Sequence, residues 1–210
     1  MIQINNISTP QDEFWAGEFG DSYVSRNVSQ DLLASNIHFF AEALSGVKSK
    51  IQTVLEIGAN VGMNIRALQS LIPDCDFTGV EPNKKAIGLL QDTGCRVIEG
   101  FAQNVKIEAK FDLVLSKGVL IHINPINLEK TYNKLFSWSK KYILLAEYYN
   151  PTPMTVEYRG YSEKLFKRDF AGEMIDKFPS LEIVNYGFSY HRANFPQDDI
   201  TWFLLEKRNL

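Results

Sequence analysis

The sequence predicts an α/β fold: a seven-stranded, mostly parallel sheet with helices on both faces and an antiparallel pair of strands at the C-terminal end. Three observations carry that expectation. Strand-like and helix-like patterns alternate from about residue 50 onward. A glycine-punctuated turn, GANVG, follows the first apolar run and opens a helical pattern. The last two strand-like runs are joined by the turn-rich ANFPQDD, which reads as a hairpin connection.

The elements follow in order. Residues 1–48 precede the first strand and read as a helical lid segment. They carry an aromatic-rich stretch, EFWAGEFGDSY, and then a helical pattern over 30–44, with Leu32, Leu33, Ile37, Phe40 and Leu44 at core spacing. Residues 53–57 form a short apolar strand, and 62–72 a helix with Ile65, Leu68, Leu71 and Ile72 on one face. A strand over 76–81 leads to a helix over 83–92, where Asn83 is placed to cap the first turn. Residues 95–98 and 111–116 are the third and fourth strands. A helix over 125–140 opens on Pro125 and ends on basic residues. The fifth strand covers 141–148, a loop follows, and a helix covers 168–178. Strands over 181–190 and 200–206 complete the sheet. Neither repeats nor a linker interrupt the pattern, so one domain is expected over 1–210.

Composition narrows the class of function. The chain has 210 residues, of which 45% are hydrophobic, enough for a large core. A net charge of −3 supplies no basic field for nucleic acid or an anionic membrane. The N-terminus has no basic stretch leading into an apolar one, and no apolar run reaches the ~20 residues that span a bilayer. Cys75 and Cys95 lie in no C-x-x-C spacing. A reduced, cytoplasmic chain without a membrane partner is the expectation.

Ligands of open α/β sheets bind beyond the carboxyl ends of the strands, which puts GANVG at the site. Gly58 allows the tight turn, Gly62 the close approach of helix and strand, and Asn60 replaces a middle glycine. Glu81 ends the second strand, where a carboxylate accepts ribose hydroxyls. Glu56, two residues before Gly58, would repel a pyrophosphate. A ligand with a cationic end accounts for it, and S-adenosylmethionine is such a ligand.

The run V-L-E-I-G-A-N-V-G, with Glu81 after the second strand, resembles the first two motifs of class I S-adenosylmethionine-dependent methyltransferases, whose fold is Rossmann-like. The longer segments EFWAGEFGDSY, SKGVLIHINP, AEYYNPTP, YRG, LFKRDFAGEM and FPQDDITWFLLEK together resemble the pseudaminic-acid-biosynthesis-associated methylase family over nearly the whole chain from residue 11. Asn60 departs from the glycine-only pattern of the broader class.

The resemblance implies a distribution of roles. Glu56, Gly58, Asn60 and Gly62, continued by Met63 and Asn64, would surround the methionine end of the cofactor. Glu81 and Pro82 would meet the ribose, and Gly100, Phe101 and Ala102 the adenine. Ser116, Lys117 and Gly118 would run beneath the sulfonium. Trp15, Tyr23 and Arg26 would close the site, Arg26 pairing with the methionine carboxylate.

Methyl transfer needs alignment first and a proton acceptor second. Of the three histidines, His122 follows the fourth strand and is the first candidate base, whereas His38 sits on a helical stretch away from the site. Glu147 and Tyr148 leave the fifth strand at the same edge as a second catalytic group. Tyr149, Asn150, Arg159, Lys167, Arg168 and His191 are candidates for holding the acceptor, with Arg159 its anionic group. Zinc spacing, a P-loop and G-x-S-x-G are absent, and the adjacent Asp198 and Asp199 read as a solvated turn. By resemblance the acceptor is a nonulosonic (pseudaminic-type) sugar or its activated form in bacterial surface or flagellar glycan synthesis. Another small-molecule acceptor, or a non-catalytic partner in glycan assembly, are the alternatives.

Overall fold

Residues 9–24 and 29–208 are described by the structure, a computed structural model. Three helices come first: α1 (Pro10–Ala16), α2 (Glu18–Val24) and α3 (Gln30–Ala43). The alternating series follows as β1 (Thr53–Ile57), α4 (Met63–Leu71), β2 (Asp76–Glu81), α5 (Lys84–Gln91), β3 (Arg96–Glu99) and β4 (Phe111–Lys117). Then come α6 (Pro125–Trp138), β5 (Ser139–Glu147), β6 (Met154–Tyr158), β7 (Tyr161–Lys167), α7 (Phe170–Lys177), β8 (Leu181–Ser189) and β9 (Ile200–Lys207).

Seven strands form one sheet in the order β3-β2-β1-β4-β5-β9-β8. The first five pair in parallel, while β9 runs antiparallel to both β5 and β8. This is the expected architecture, a Rossmann-like sheet with a C-terminal antiparallel pair. Its central strands are buried on both faces, which is why they read as unbroken apolar runs in the sequence. Phe39 and Phe40 of α3, Ile65 and Leu68 of α4 and Leu90 of α5 pack with Leu113, Leu115, Leu144 and Trp202 on one face. Leu128 and Leu135 of α6 and Phe170 and Met174 of α7 pack with Leu55, Val114, Ile143 and Leu145 on the other.

Two departures from the sequence expectation matter. The fifth strand begins at Ser139, because Lys140 and Lys141 keep their stems along the sheet while their ammonium groups reach Asp112 (3.3 Å) and Glu206 (3.2 Å). The segment expected as a loop over 148–168 holds a two-stranded hairpin, β6–β7, separate from the main sheet. Its turn places Arg159 at φ 53° and Gly160 at φ 82° between the paired Tyr158 and Tyr161, the double left-handed geometry that suits a two-residue hairpin connection.

Strand order reverses between β1 and β4, so connections leave the sheet in opposite directions there and open a crevice at its carboxyl edge. Gly79 of β2 lets the loop after β1 sit close: a Cβ there would lie 2.9 Å from the Ala59 Cβ and 3.1 Å from Leu90 Cδ2. Gly79→Val should therefore destabilise the fold by about 1–3 kcal/mol, the usual range for overpacking. Denaturant midpoints would measure it; a midpoint equal to wild type would show that the loop has room to yield.

Candidate active site

The crevice is roofed by α1, α2 and the tip of the β6–β7 hairpin, and the cavity beneath measures about 400 Å³. On its floor lie Gly58, Asn60, Met63 and Asn64 from the turn after β1. Glu81 and Pro82 enter from β2, and Gly100, Phe101 and Ala102 from the turn after β3. Lys117 and Gly118 enter from β4, and Trp15 and Tyr23 from the roof. The sequence-predicted cofactor residues thus converge, with three differences. Gly62 caps α4 at φ 82° beneath the turn, with Thr93 and Leu90 against it. Ser116 and Glu56 are buried just behind the wall. Arg26 lies outside the described residues.

Glu81 organises the turn. Its Oε2 accepts the backbone N–H of Asn60 at 2.7 Å, and its Oε1 that of Asn83 at 2.8 Å. Burial raises the carboxyl's pKa while these two donors oppose the rise. Asn60 is thereby held left-handed at φ 48°, with its side-chain oxygen buried and unpartnered among the described residues. Asn83 also caps α5, accepting from Ala86 N, and its amide donates to Asp21 Oδ1 of α2 at 2.8 Å. One short segment therefore ties the cofactor turn to the roof.

Glu56 lies on the α3–α4 side of β1, 1% exposed. Asn64 donates to its Oε1 at 2.6 Å, and Oε2 has no partner among the described residues. Desolvation pushes this carboxyl up to about 8, against the pull of the Asn64 hydrogen bond and the Lys117 charge. A second cation arriving beside Glu56 would stabilise its ionised form. The unpartnered Glu56 Oε2 and Asn60 Oδ1 accordingly suit the ammonium end of S-adenosylmethionine, and Glu81 at the end of β2 suits its ribose.

Glu147, expected as a catalytic group, is a structural one. Its Oε1 accepts Ser116 Oγ at 2.6 Å and the backbone N–H groups of Val119 and Leu120 at 3.2 and 3.1 Å. Its Oε2 accepts that of Ile121 at 3.4 Å. The carboxylate is buried outside the cavity and fixes the short turn Leu120–His122 that follows β4. Ser116 shares that duty instead of facing the ligand.

His122 does line the cavity. Its Nδ1 lies 2.7 Å from the backbone oxygen of Lys164, which leaves Nδ1 protonated and Nε2 as the acceptor. Its ring packs 4.5 Å from Trp15 and 5.0 Å from Tyr158. Burial brings its pKa down to about 4, so His122 is neutral throughout the physiological range. It is a hydrogen-bond acceptor with little capacity to store a proton.

Tyr148, expected as a catalytic group, lines the cavity. The acceptor candidates divide: Arg159 lines the cavity at its exposed mouth, with its guanidinium 5.6 Å from the Tyr158 ring. Lys167 stacks over the outer side of Tyr148 at 5.4 Å and is not part of the lining. Tyr149 and Arg168 turn to the other side of the sheet, where Arg168 pairs with Glu173 at 2.7 Å. Asn150 donates to Thr152, and His191 pairs with Asp199 at 2.8 Å on the surface. The strand's period of two sends Tyr148 and Tyr149 to opposite faces, so the two cannot serve one site.

Sequence reasoning missed Gln11, Asp12, Asn36, Gln103, Gln197 and Asp198, all part of the lining. Asp12 closes a capping box with Thr9 and accepts from Gln103 at 2.9 Å, joining α1 to the adenine-side turn. The T-x-x-D spacing at residues 9–12 was the available signal. Among the described residues, no cluster of His, Cys, Asp and Glu is placed to hold a metal, and no helix is long and apolar enough to cross a membrane.

Residues 54–141 match the family described as "Methyltransferase domain". The sequence matches no curated protein. Among solved structures, the chain is similar to magnesium protoporphyrin IX methyltransferase from Synechocystis with bound S-adenosylmethionine, at 13% identity and TM-score 0.67 over 97% of this chain and 100% of that one. It is similar to a 1,6-didemethyltoxoflavin-N1-methyltransferase from Burkholderia thailandensis at 13% identity and TM-score 0.68, over 97% and 92% of the two chains. A plantazolicin methyltransferase in complex with S-adenosylhomocysteine aligns at 13% identity and TM-score 0.63, over 95% and 94%. At such identities the likeness is one of fold.

Two outcomes follow for the cofactor. Between pH 6 and 7 the free protein keeps Glu56 protonated and the amino acid end of S-adenosylmethionine is an ammonium, so binding should expel the Glu56 proton. Calorimetry in buffers of different ionisation enthalpy should show about one more proton released by wild type than by Glu56→Gln. Equal release by both proteins would mean that Glu56 is not the ammonium's partner. Glu81→Gln, which keeps size and one acceptor, should weaken binding by about 1–3 kcal/mol, read from the same isotherms.

Proposed function

We propose that the chain, an S-adenosylmethionine-dependent methyltransferase by domain and fold, methylates a small, anionic, sugar-like acceptor. The reading that combines best with the sequence resemblance is a nonulosonic (pseudaminic-type) sugar or its nucleotide-linked form, used in bacterial surface glycan synthesis. One domain spanning 1–210, working in the cytoplasm without nucleic acid or membrane, is part of the same proposal.

A single observation carries the acceptor class. The wall opposite the cofactor turn combines tyrosine faces, Tyr23, Tyr148 and Tyr158, with the exposed cation of Arg159 at the mouth. Aromatic faces lie against the apolar side of a sugar ring, and a guanidinium binds a carboxylate or phosphate through two parallel hydrogen bonds. Arg159 adopts a left-handed conformation, a cost on the order of 1 kcal/mol for a residue with a Cβ. Its side chain lies at the rim with the guanidinium over the Tyr158 ring.

When bound, the cofactor supplies an electrophilic methyl group on a positively charged sulfur. The chain supplies the rest. Glu56, Asn60 and Glu81 would hold the two ends of the cofactor, and Trp15 and Tyr23 close over it. Glu147 keeps the turn after β4 in place through its amide contacts, so that His122 presents Nε2 inward as an orienting acceptor. The aromatic roof excludes water that would compete for the acceptor's contacts.

The test is a methyl-labelled cofactor offered to free and nucleotide-linked nonulosonic acids, with mass analysis of the product. Mass gain on a sugar supports the reading, whereas cofactor binding without transfer to any of them sends the acceptor elsewhere. With an accepted sugar, Arg159→Ala should raise KM about tenfold or more and leave cofactor affinity unchanged, the pattern of a lost binding contact. Unaltered KM would remove Arg159 from the acceptor's contacts.

A further inference from the structure

Lys117 ends β4, half-buried, with its ammonium over the Phe39 ring at 5.5 Å from the centroid. Its ammonium has no carboxylate within ion-pair distance among the described residues; its nearest partner is the neutral Asn36 Oδ1 at 3.4 Å, which Gln197 also engages at 3.1 Å. Glu56 and Lys117 lie on the same face of neighbouring strands, because Glu56 pairs with Leu115 and side chains repeat every two residues. Lys117 lines the same cavity as Gly58, Asn60 and Glu81, and also as Tyr148 and Asp198, so it faces both the cofactor turn and the acceptor wall.

We propose that Lys117 accepts the acceptor's proton during methyl transfer, and that the sulfonium of the bound cofactor favours its neutral amine. The inference rests on the methyltransferase reading above. The balance is closed by groups already named. The acceptor's oxygen or nitrogen lone pair becomes the bond to the methyl carbon, and the carbon–sulfur pair stays on sulfur as a neutral thioether. The acceptor's proton moves to Lys117 Nζ, and from there to water at the exposed Asp198 side of the cavity.

The electrostatics around Lys117 are poised for this switch. Burial lowers its pKa, while Glu56 from β1, Asp198 from the loop before β9 and Glu147 from β5 raise it. Asn36 and Phe39 of α3 contribute no charge. The cofactor's ammonium and carboxylate offset each other, and Glu56 gives up its proton to meet the ammonium, so the charge that sets S-adenosylmethionine apart from S-adenosylhomocysteine at Lys117 is the sulfonium. That charge disfavours the lysine's own. His122, already neutral with a pKa of about 4, has too little basicity to compete.

The test compares two cofactor forms that differ in one charge: S-adenosylmethionine, a sulfonium, and S-adenosylhomocysteine, a neutral thioether. In ¹⁵N-lysine spectra assigned with Lys117→Arg, the Lys117 signal should titrate at least one pH unit lower with the first than with the second, roughly a tenfold loss of proton affinity. Titration at the same pH in both complexes, or together with the surface lysines, overturns the proposal. Arginine stays charged. Lys117→Arg should therefore bind S-adenosylmethionine at least tenfold more weakly relative to S-adenosylhomocysteine than wild type does, and Lys117→Met should not. An unchanged ratio in the arginine variant overturns the proposal as well. Transfer to the nonulosonic acids by Lys117→Arg should fall a hundredfold or more at saturating cofactor, within the usual contribution of a general base. Undiminished transfer refutes the assignment. Failure of wild type to bind either cofactor form overturns the methyltransferase reading itself, and is seen in the isotherm before any titration.

Discussion

Three carboxylates are buried at the carboxyl edge of one sheet, and the site is arranged around what each requires. Glu56, Glu81 and Glu147 are at most 6% exposed. An isolated buried carboxylate is costly, so each needs donors or a proton. Glu147 has four donors and Glu81 two backbone donors, and both hold turns. Glu56 has a single donor and carries a proton near neutrality. The satisfied pair fixes the turns that shape the cavity; the unsatisfied one stands just behind its wall with one oxygen left open.

That division explains what could be seen in the sequence. The sheet was legible because strands buried on both faces show as apolar runs and GANVG marks the first turn. Glu56 and Glu81 were legible because each stands at a fixed place relative to that turn. Glu147 was seen but misassigned: sequence puts a carboxylate at a strand end without saying whether it points into the cavity or up under the next turn. Three amide donors from Val119, Leu120 and Ile121 decide the matter, and backbone donors leave no mark in a sequence.

The β6–β7 hairpin escaped for another reason. Its strands bury only Leu165 and Phe166, with Val156 partly covered, and most of their remaining positions are exposed. Its Arg-Gly turn lacks the asparagine or aspartate that usually signals a left-handed pair. Tyr149, Lys167 and Arg168 sat beside the right residues in the chain, yet alternation along the strands and a paired Glu173 direct them elsewhere. Gln11, Asp12 and Gln197 act through contacts across more than ninety positions of sequence, such as Gln103 to Asp12 with a separation of 91. No local pattern encodes those.

The roof joins segments far apart in the chain, 152 residues in the case of Gln11 and Glu163. Gln11 donates to the backbone oxygen of Glu163 at 2.8 Å, Lys164 to that of Pro10 at 3.1 Å, and Phe14 meets Tyr161 edge-on at 5.0 Å. A protein made from its N-terminus forward finishes α1 long before β7 exists. During synthesis the sheet around β1, β2 and β4 can assemble while Phe14, Trp15 and Phe19 still lack the hairpin that covers them. The half-made chain thus presents an open cofactor crevice and a loose aromatic flap, and only the late hairpin turns that flap into a lid. Birth order gives the nascent molecule a stage at which the crevice at the sheet's edge exists before its roof.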